Sequence, residues 1–70
     1  MSALIQITLN GSPHQVPPGQ TLDKLIAALS LENQALALAV NRHVVPRKAW
    51  PGQVLQVQDQ VEIVRAIGGG

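Results

Sequence analysis

Seventy residues with a formal charge of +1 and no cysteine describe one small domain, burying only about 60% of the surface its unfolded chain exposes. The missing cysteine excludes a disulfide framework, a thiolate metal site and a thiol nucleophile, and it points to the reducing cytoplasm. The near-neutral charge argues against nucleic acid as a partner, because only Arg42, Arg47 and Lys48 come close together among the basic residues.

The chain opens "MSALIQITLNG", with Ala3, Ile5, Ile7 and Leu9 alternating against Leu4, Gln6 and Thr8. That period predicts a strand. With no basic leader and no long apolar run, the segment is expected to be neither a signal peptide nor a membrane anchor. Asn10-Gly11 is a strong hairpin signal, since both residues tolerate positive φ. A second strand is predicted around His14 to Val16, ended by Pro17, Pro18 and Gly19. Thr21 can cap a helix over about Leu22 to Leu29, in which Leu22, Leu25, Ile26 and Leu29 share one apolar face. Asp23 in the first turn suits the helix dipole.

Ser30 to Gln34 reads as a loop. Leu36, Leu38 and Val40 then alternate with Ala35, Ala37 and Ala39 in a third strand. Asn41-Arg42-His43 reads as a turn before a short Val44-Val45 strand. Pro46 to Gly52 is irregular, with a helical turn near Trp50. The last strand is predicted over Val61 to Ile67, with Val61, Ile63 and Ile67 on one face and Glu62, Val64 and Ala66 on the other. This order predicts an α+β fold of the β-grasp (ubiquitin-like) type: a mixed sheet of four to five strands with one main helix packed on one face. Residues 1–67 form the domain, and residues 68–70 form a flexible glycine tail.

These residues do not assemble an ordinary enzyme. No Gly-rich loop with Lys and Ser or Thr is present to hold a triphosphate. His14 and His43 lack the companions of a metal shell. Ser2, Ser12 and Ser30 have no visible base. Asp23, Glu32, Asp59 and Glu62 read as solvated charges. Trp50, the only aromatic residue, reads as core filler ahead of a recognition residue. On the face of the sheet away from the helix, Ala35, Ala37 and Ala39 are expected beside Leu4 and Val64. Such a surface is either a protein contact or ordinary scattered apolar exposure.

The sequence closes "VEIVRAIGGG". Three glycines can carry a carboxylate roughly 10 Å beyond the last strand and thread a narrow channel. Ordering them costs about 1–2 kcal/mol per residue, so a partner must supply contacts, which Val64, Ala66 and Ile67 are placed to start. A carboxylate needs activation, and nothing in the chain binds ATP. The activating enzyme is therefore another protein.

The opening strand with "LNG", then "PPGQTLDKLIAAL", "ALAVNRHVVPRKAW" and "VEIVRAIGGG", together resemble the ubiquitin-like sulfur carriers of thiamin (thiazole) biosynthesis, the ThiS family, over essentially the whole chain. The resemblance implies that an E1-like adenylyltransferase uses ATP to adenylate the Gly70 carboxylate. A sulfur donor, ultimately a cysteine desulfurase persulfide, converts it to a thiocarboxylate, and thiazole synthase takes the sulfur. Gly70 is then the sulfur-carrying residue and Gly68 and Gly69 are its tail. Val64, Ala66, Ile67 and Leu4 are partner-binding candidates, with no metal and no cofactor bound to the chain. The sequence departs from the family at "VQDQVEIV", where Asp59 remains but Gln58 and Gln60 replace turn-friendly neighbours. Two other readings stay open: the small sulfur-carrying subunit of molybdopterin synthase, and a non-reacting β-grasp binding module.

Overall fold

The computed structural model describes residues 3–65. Ile5–Leu9 (β1) and Ser12–Val16 (β2) form an antiparallel hairpin. Asn10 and Gly11 form its turn at φ 49° and 83°, the positive values that a two-residue loop matching strand twist requires. β2 is an edge strand, and Thr8 lies opposite Pro13. The pair that closes such a loop is hydrogen-bonded, so the next pair is not. Pro13 therefore lacks an N–H only where β1 does not need one.

Helix α1 covers Leu22–Ala28 and buries Leu22, Leu25 and Ile26. Thr21 is its N-cap but makes no side-chain cap bond; its hydroxyl donates instead to the Asp23 carboxylate. The expected capping side chain is thus replaced by backbone pairing. Leu22 N–H donates to the Gln53 carbonyl at 3.0 Å, and Leu55 N–H donates to the Gln20 carbonyl at 2.8 Å. At the other end Ser30 sits at φ 60°. Ser30 N–H bonds the Ala27 carbonyl and Leu31 N–H bonds the Ile26 carbonyl, a Schellman stop built without glycine.

Leu36–Val40 (β3) and His43–Val45 (β4) form a second hairpin, followed by a 3-10 helix over Arg47–Gly52 and by Gln60–Arg65 (β5). The sheet order is β2-β1-β5-β3-β4. β5 runs parallel to β1 and antiparallel to β3, so the last strand in the sequence is the middle strand of the sheet. Ile7, Val16, Leu38, Val40, Val45 and Val61 on one face of the sheet share a core with the α1 residues, Trp50 and Leu55. That is the expected mixed sheet with one helix on one face. The described strand ends at Arg65, and the expected continuation to Ile67 lies outside the described residues.

Trp50 is 3% exposed, and its Nε1–H donates to the Val45 carbonyl at 2.9 Å. The Arg47 guanidinium lies 4.6 Å from the ring centroid and donates to the Gln34 carbonyl at 2.8 Å. The "VVPR..W" pattern is therefore a folded corner. Val45 accepts, Pro46 precedes the 3-10 turn, Trp50 fills the core, and Arg47 closes over it.

Asp59 is the one charged side chain among the buried residues described, at 9% exposure. This corrects the reading of Asp59 as a solvated charge. Its carboxylate accepts from Asn41 Nδ2 at 3.0 Å and from Gln56 N–H at 2.8 Å. The turn it closes carries Gln58 at φ 68°, with Asp59 N–H bonded to the Gln56 carbonyl at 3.1 Å. A polar chain that seemed ill-suited to a tight turn makes one, with Asp59 holding it from inside.

Candidate functional site

β5 organises the candidate site because it leads from the centre of the sheet toward the glycines. Burial of Val61 on the helix side places Glu62 and Val64 on the opposite, outer face. There Ala37 lies beside Val64 and Ala39 beside Glu62. Val44 pairs with Ala39 from the other side. Val44 is 77% exposed and Val64 is 61% exposed, so Val44, Ala39, Ala37 and Val64 form one apolar surface interrupted by Glu62. Small alanine side chains let a partner's backbone approach closely there.

The alternation in β3 was legible, and Ala37 and Val64 stand together as expected. Leu4 does not join them. Thr8 lies beside Gln60 in the parallel pair. Leu4 is four residues before Thr8 and Val64 is four residues after Gln60. At strand rise they are roughly 26 Å apart along the strand direction. Leu4, 54% exposed, belongs to the other end of the sheet. Val44 takes its place in the surface. Two adjacent valines give no alternation, so nothing local distinguished outward Val44 from buried Val45.

Ala66, Ile67, Gly68, Gly69 and Gly70 lie outside the described residues. What the structure shows is how β5 is held as far as Arg65. On the β3 side, pairing continues through Ala37 with Val64 and Leu36 with Arg65. On the β1 side, strand pairing stops at Leu9 with Val61. One further contact follows, Ile63 N–H to Asn10 Oδ1 at 2.8 Å.

The remaining candidates do not converge. His14 is half-buried on β2 and His43 is exposed on β4. Among the described residues no group of three or more His, Cys, Asp or Glu side chains could hold a metal ion. Among the described residues no concave pocket is present to enclose a small substrate. No helix among the described residues is long and apolar enough to cross a membrane. The arrangement offers a flat apolar face beside a departing strand, and that geometry suits docking.

The model of the ThiS family matches residues 7–70. The chain is 35% identical over 66 residues to the sulfur carrier protein ThiS of Escherichia coli, covering 94% of this chain and 100% of that protein. It is 41% identical over 66 residues to a thiazole synthase of Magnetococcus marinus, covering 94% of this chain but only 20% of that longer protein. The crystal structure of the thiamine biosynthesis protein ThiS from Geobacter metallireducens superposes with a TM-score of 0.83 at 26% identity, covering 94% of this chain and 100% of the other. The β-grasp architecture expected from the order of elements is thereby borne out.

Proposed function

The chain belongs to the ThiS family, and from that premise we propose that it carries sulfur for thiamin biosynthesis on the carboxylate of Gly70. An E1-like adenylyltransferase binds ATP and joins AMP to that carboxylate, releasing pyrophosphate. The terminal sulfur of a cysteine persulfide, supplied through a cysteine desulfurase, then displaces AMP to give an acyl disulfide. A second partner thiol attacks the cysteine sulfur and breaks the S–S bond, forming a disulfide in the partner and leaving Gly70 as a thiocarboxylate with one sulfur in place of one oxygen. Thiazole synthase is the acceptor. This chain supplies the carboxylate and the docking surface, and the partners supply the chemistry. The setting is the reducing cytoplasm, in keeping with a chain that has no cysteine.

The observation that carries this reading is the placement of β5. The strand that leads to the glycines is the middle strand of the sheet, paired with β3 as far as Arg65. Beside it lies the face of Ala37, Ala39, Val44 and Val64. A rigid base with a slender arm fits a co-substrate that several enzymes must handle in turn. Glycines without Cβ atoms can enter a channel closed to any other residue.

Incubation with ATP, the adenylyltransferase and a persulfide source should raise the intact mass by one oxygen-to-sulfur exchange. Converting the Gly70 carboxylate to an amide should abolish that exchange while leaving the fold intact. Unchanged sulfur loading in the amidated chain would overturn the assignment. Val44→Asp places a charge on the outer face and should raise KM for adenylation about tenfold, through one desolvated mismatch at a contact, without loss of stability. An unchanged KM would remove Val44 from the docking surface.

A further inference from the structure

We propose that Asn10 is a positioning residue for the tail, holding Ile63 through one side-chain hydrogen bond and so setting where rigid strand gives way to reacting segment. This rests on the carrier reading above. The geometry is that of an interrupted parallel ladder. Thr8 N–H donates to the Asp59 carbonyl at 2.8 Å and Asn10 N–H donates to the Val61 carbonyl at 2.9 Å. In an uninterrupted parallel ladder the next acceptor, for Ile63 N–H, would be the backbone carbonyl of residue 10. The chain turns away there, with Asn10 at φ 49°. The Asn10 side-chain carbonyl accepts Ile63 N–H instead, at 2.8 Å.

The substitution is chemically apt. A carboxamide oxygen has the acceptor strength of a peptide carbonyl, and asparagine tolerates the left-handed backbone that the turn demands. Glycine would satisfy the turn alone. The bond therefore adds something that the hairpin does not need: it carries the β1 side of β5 two residues past the last strand pair, Leu9 with Val61. Past Ile63, no strand stands on that side among the described residues. Without the bond, β5 past Val61 is held from the β3 side alone, and its exit has more freedom to lose each time a partner engages Gly70.

Two variants separate turn from clamp. Asn10→Gly keeps the backbone conformation and removes the acceptor, whereas Asn10→Asp keeps both. Amide hydrogen exchange by NMR should show Ile63 exchanging about tenfold faster in N10G, the range one hydrogen bond carries. Val61 and Leu38 should be unchanged. Pyrophosphate release with the E1-like adenylyltransferase should show KM for this chain raised between about two- and tenfold at unchanged kcat. N10D should restore both. The proposal is overturned if Ile63 exchange does not move, if it moves with no change in KM, or if every amide accelerates together. Absence of pyrophosphate release with the unaltered chain would overturn the carrier reading and the positioning role with it. That outcome is recognisable because the exchange contrast between N10G and N10D would persist.

Discussion

The two ends of β5 are held in different ways. At its start, Asn41 grips Gln60 twice: its N–H donates to the Gln60 carbonyl at 2.7 Å and its Oδ1 accepts Gln60 N–H at 3.0 Å. The same side chain donates to Asp59, whose carboxylate also holds Gln56 N–H. At the exit, on the β1 side, Asn10 makes a single bond to Ile63. Both asparagines sit at positive φ in hairpin turns, 49° for Asn10 and 52° for Asn41. The same residue type thus does two jobs. At the start it is one member of a partly buried network, which anchors the central strand. At the exit it is a lone exposed clamp, which marks where anchoring ends. For the carrier role proposed above, that asymmetry would keep the start of β5 fixed and leave its exit as the part that a partner acts on.

Cutting the network at the start should have the largest effect. Asp59→Ala removes a buried carboxylate that accepts two hydrogen bonds, and it leaves Gln56 N–H and Asn41 Nδ2 without that partner. Hydrogen bonds to charged groups contribute about 1.5–3 kcal/mol each, less where water can replace them. The expected loss is about 3 kcal/mol in urea unfolding, a large share of the stability of so small a domain. Asp59→Asn retains one acceptor oxygen but turns an N–H donor toward another donor, and should lose roughly half as much. A loss for Asp59→Ala below about 1 kcal/mol would show that the start of β5 depends on strand pairing alone.

This network also marks what local sequence could and could not reveal. The Asn10-Gly11 hairpin, the apolar face of α1 and the alternation of β3 were legible because each depends on residues within one element. Trp50 was legible as core filler because an aliphatic core has room for one ring. Asp59 was not legible, because its partner Asn41 lies 18 positions away and an acidic residue among glutamines looks solvated. The placement of Leu4 failed for a related reason. Alternation showed which face it occupies, but its position along the sheet depends on the register of β1 against β5, which contacts between distant segments decide. Val44 escaped notice because an apolar pair in a short edge strand carries no period. The chemistry proposed for the tail comes only from resemblance, since three glycines alone do not specify a reaction.

A smaller effect, of opposite sign, is expected one residue before Asp59. Gln58 holds φ 68° in the turn that feeds β5, a left-handed conformation costing a residue with a Cβ about 1–2 kcal/mol. Its N–H bond to the Gln6 carbonyl at 2.7 Å uses only backbone and survives substitution. Gln58→Gly relieves the strain but adds freedom to the unfolded chain, which returns about 0.5–1 kcal/mol. The net expectation is a gain of about 0.5–1 kcal/mol by urea unfolding, with adenylation kinetics unchanged because the exit of β5 is untouched. A loss of stability would mean that the Gln58 side chain supports the turn in a way its backbone does not.

The smallest effect on global stability should come from the clamp itself. Asn10→Gly removes one net hydrogen bond, nominally about 0.5–1.5 kcal/mol. The contact is exposed, so water can satisfy Ile63 N–H and the loss falls at the low end. Glycine also relieves the positive φ at the turn, offsetting part of the remainder. Unfolding midpoints of Asn10→Gly and the unaltered chain should therefore agree within about 0.5 kcal/mol, against about 3 kcal/mol for Asp59→Ala. In the kinetics the order should reverse: the clamp variant, fully folded, loses affinity for the adenylyltransferase. Asp59→Ala, examined at a temperature where it is fully folded, should keep nearly all of its affinity. If the two variants instead lose stability and affinity in proportion, start and exit of β5 are one cooperative unit, and the tail has no separately held point of departure.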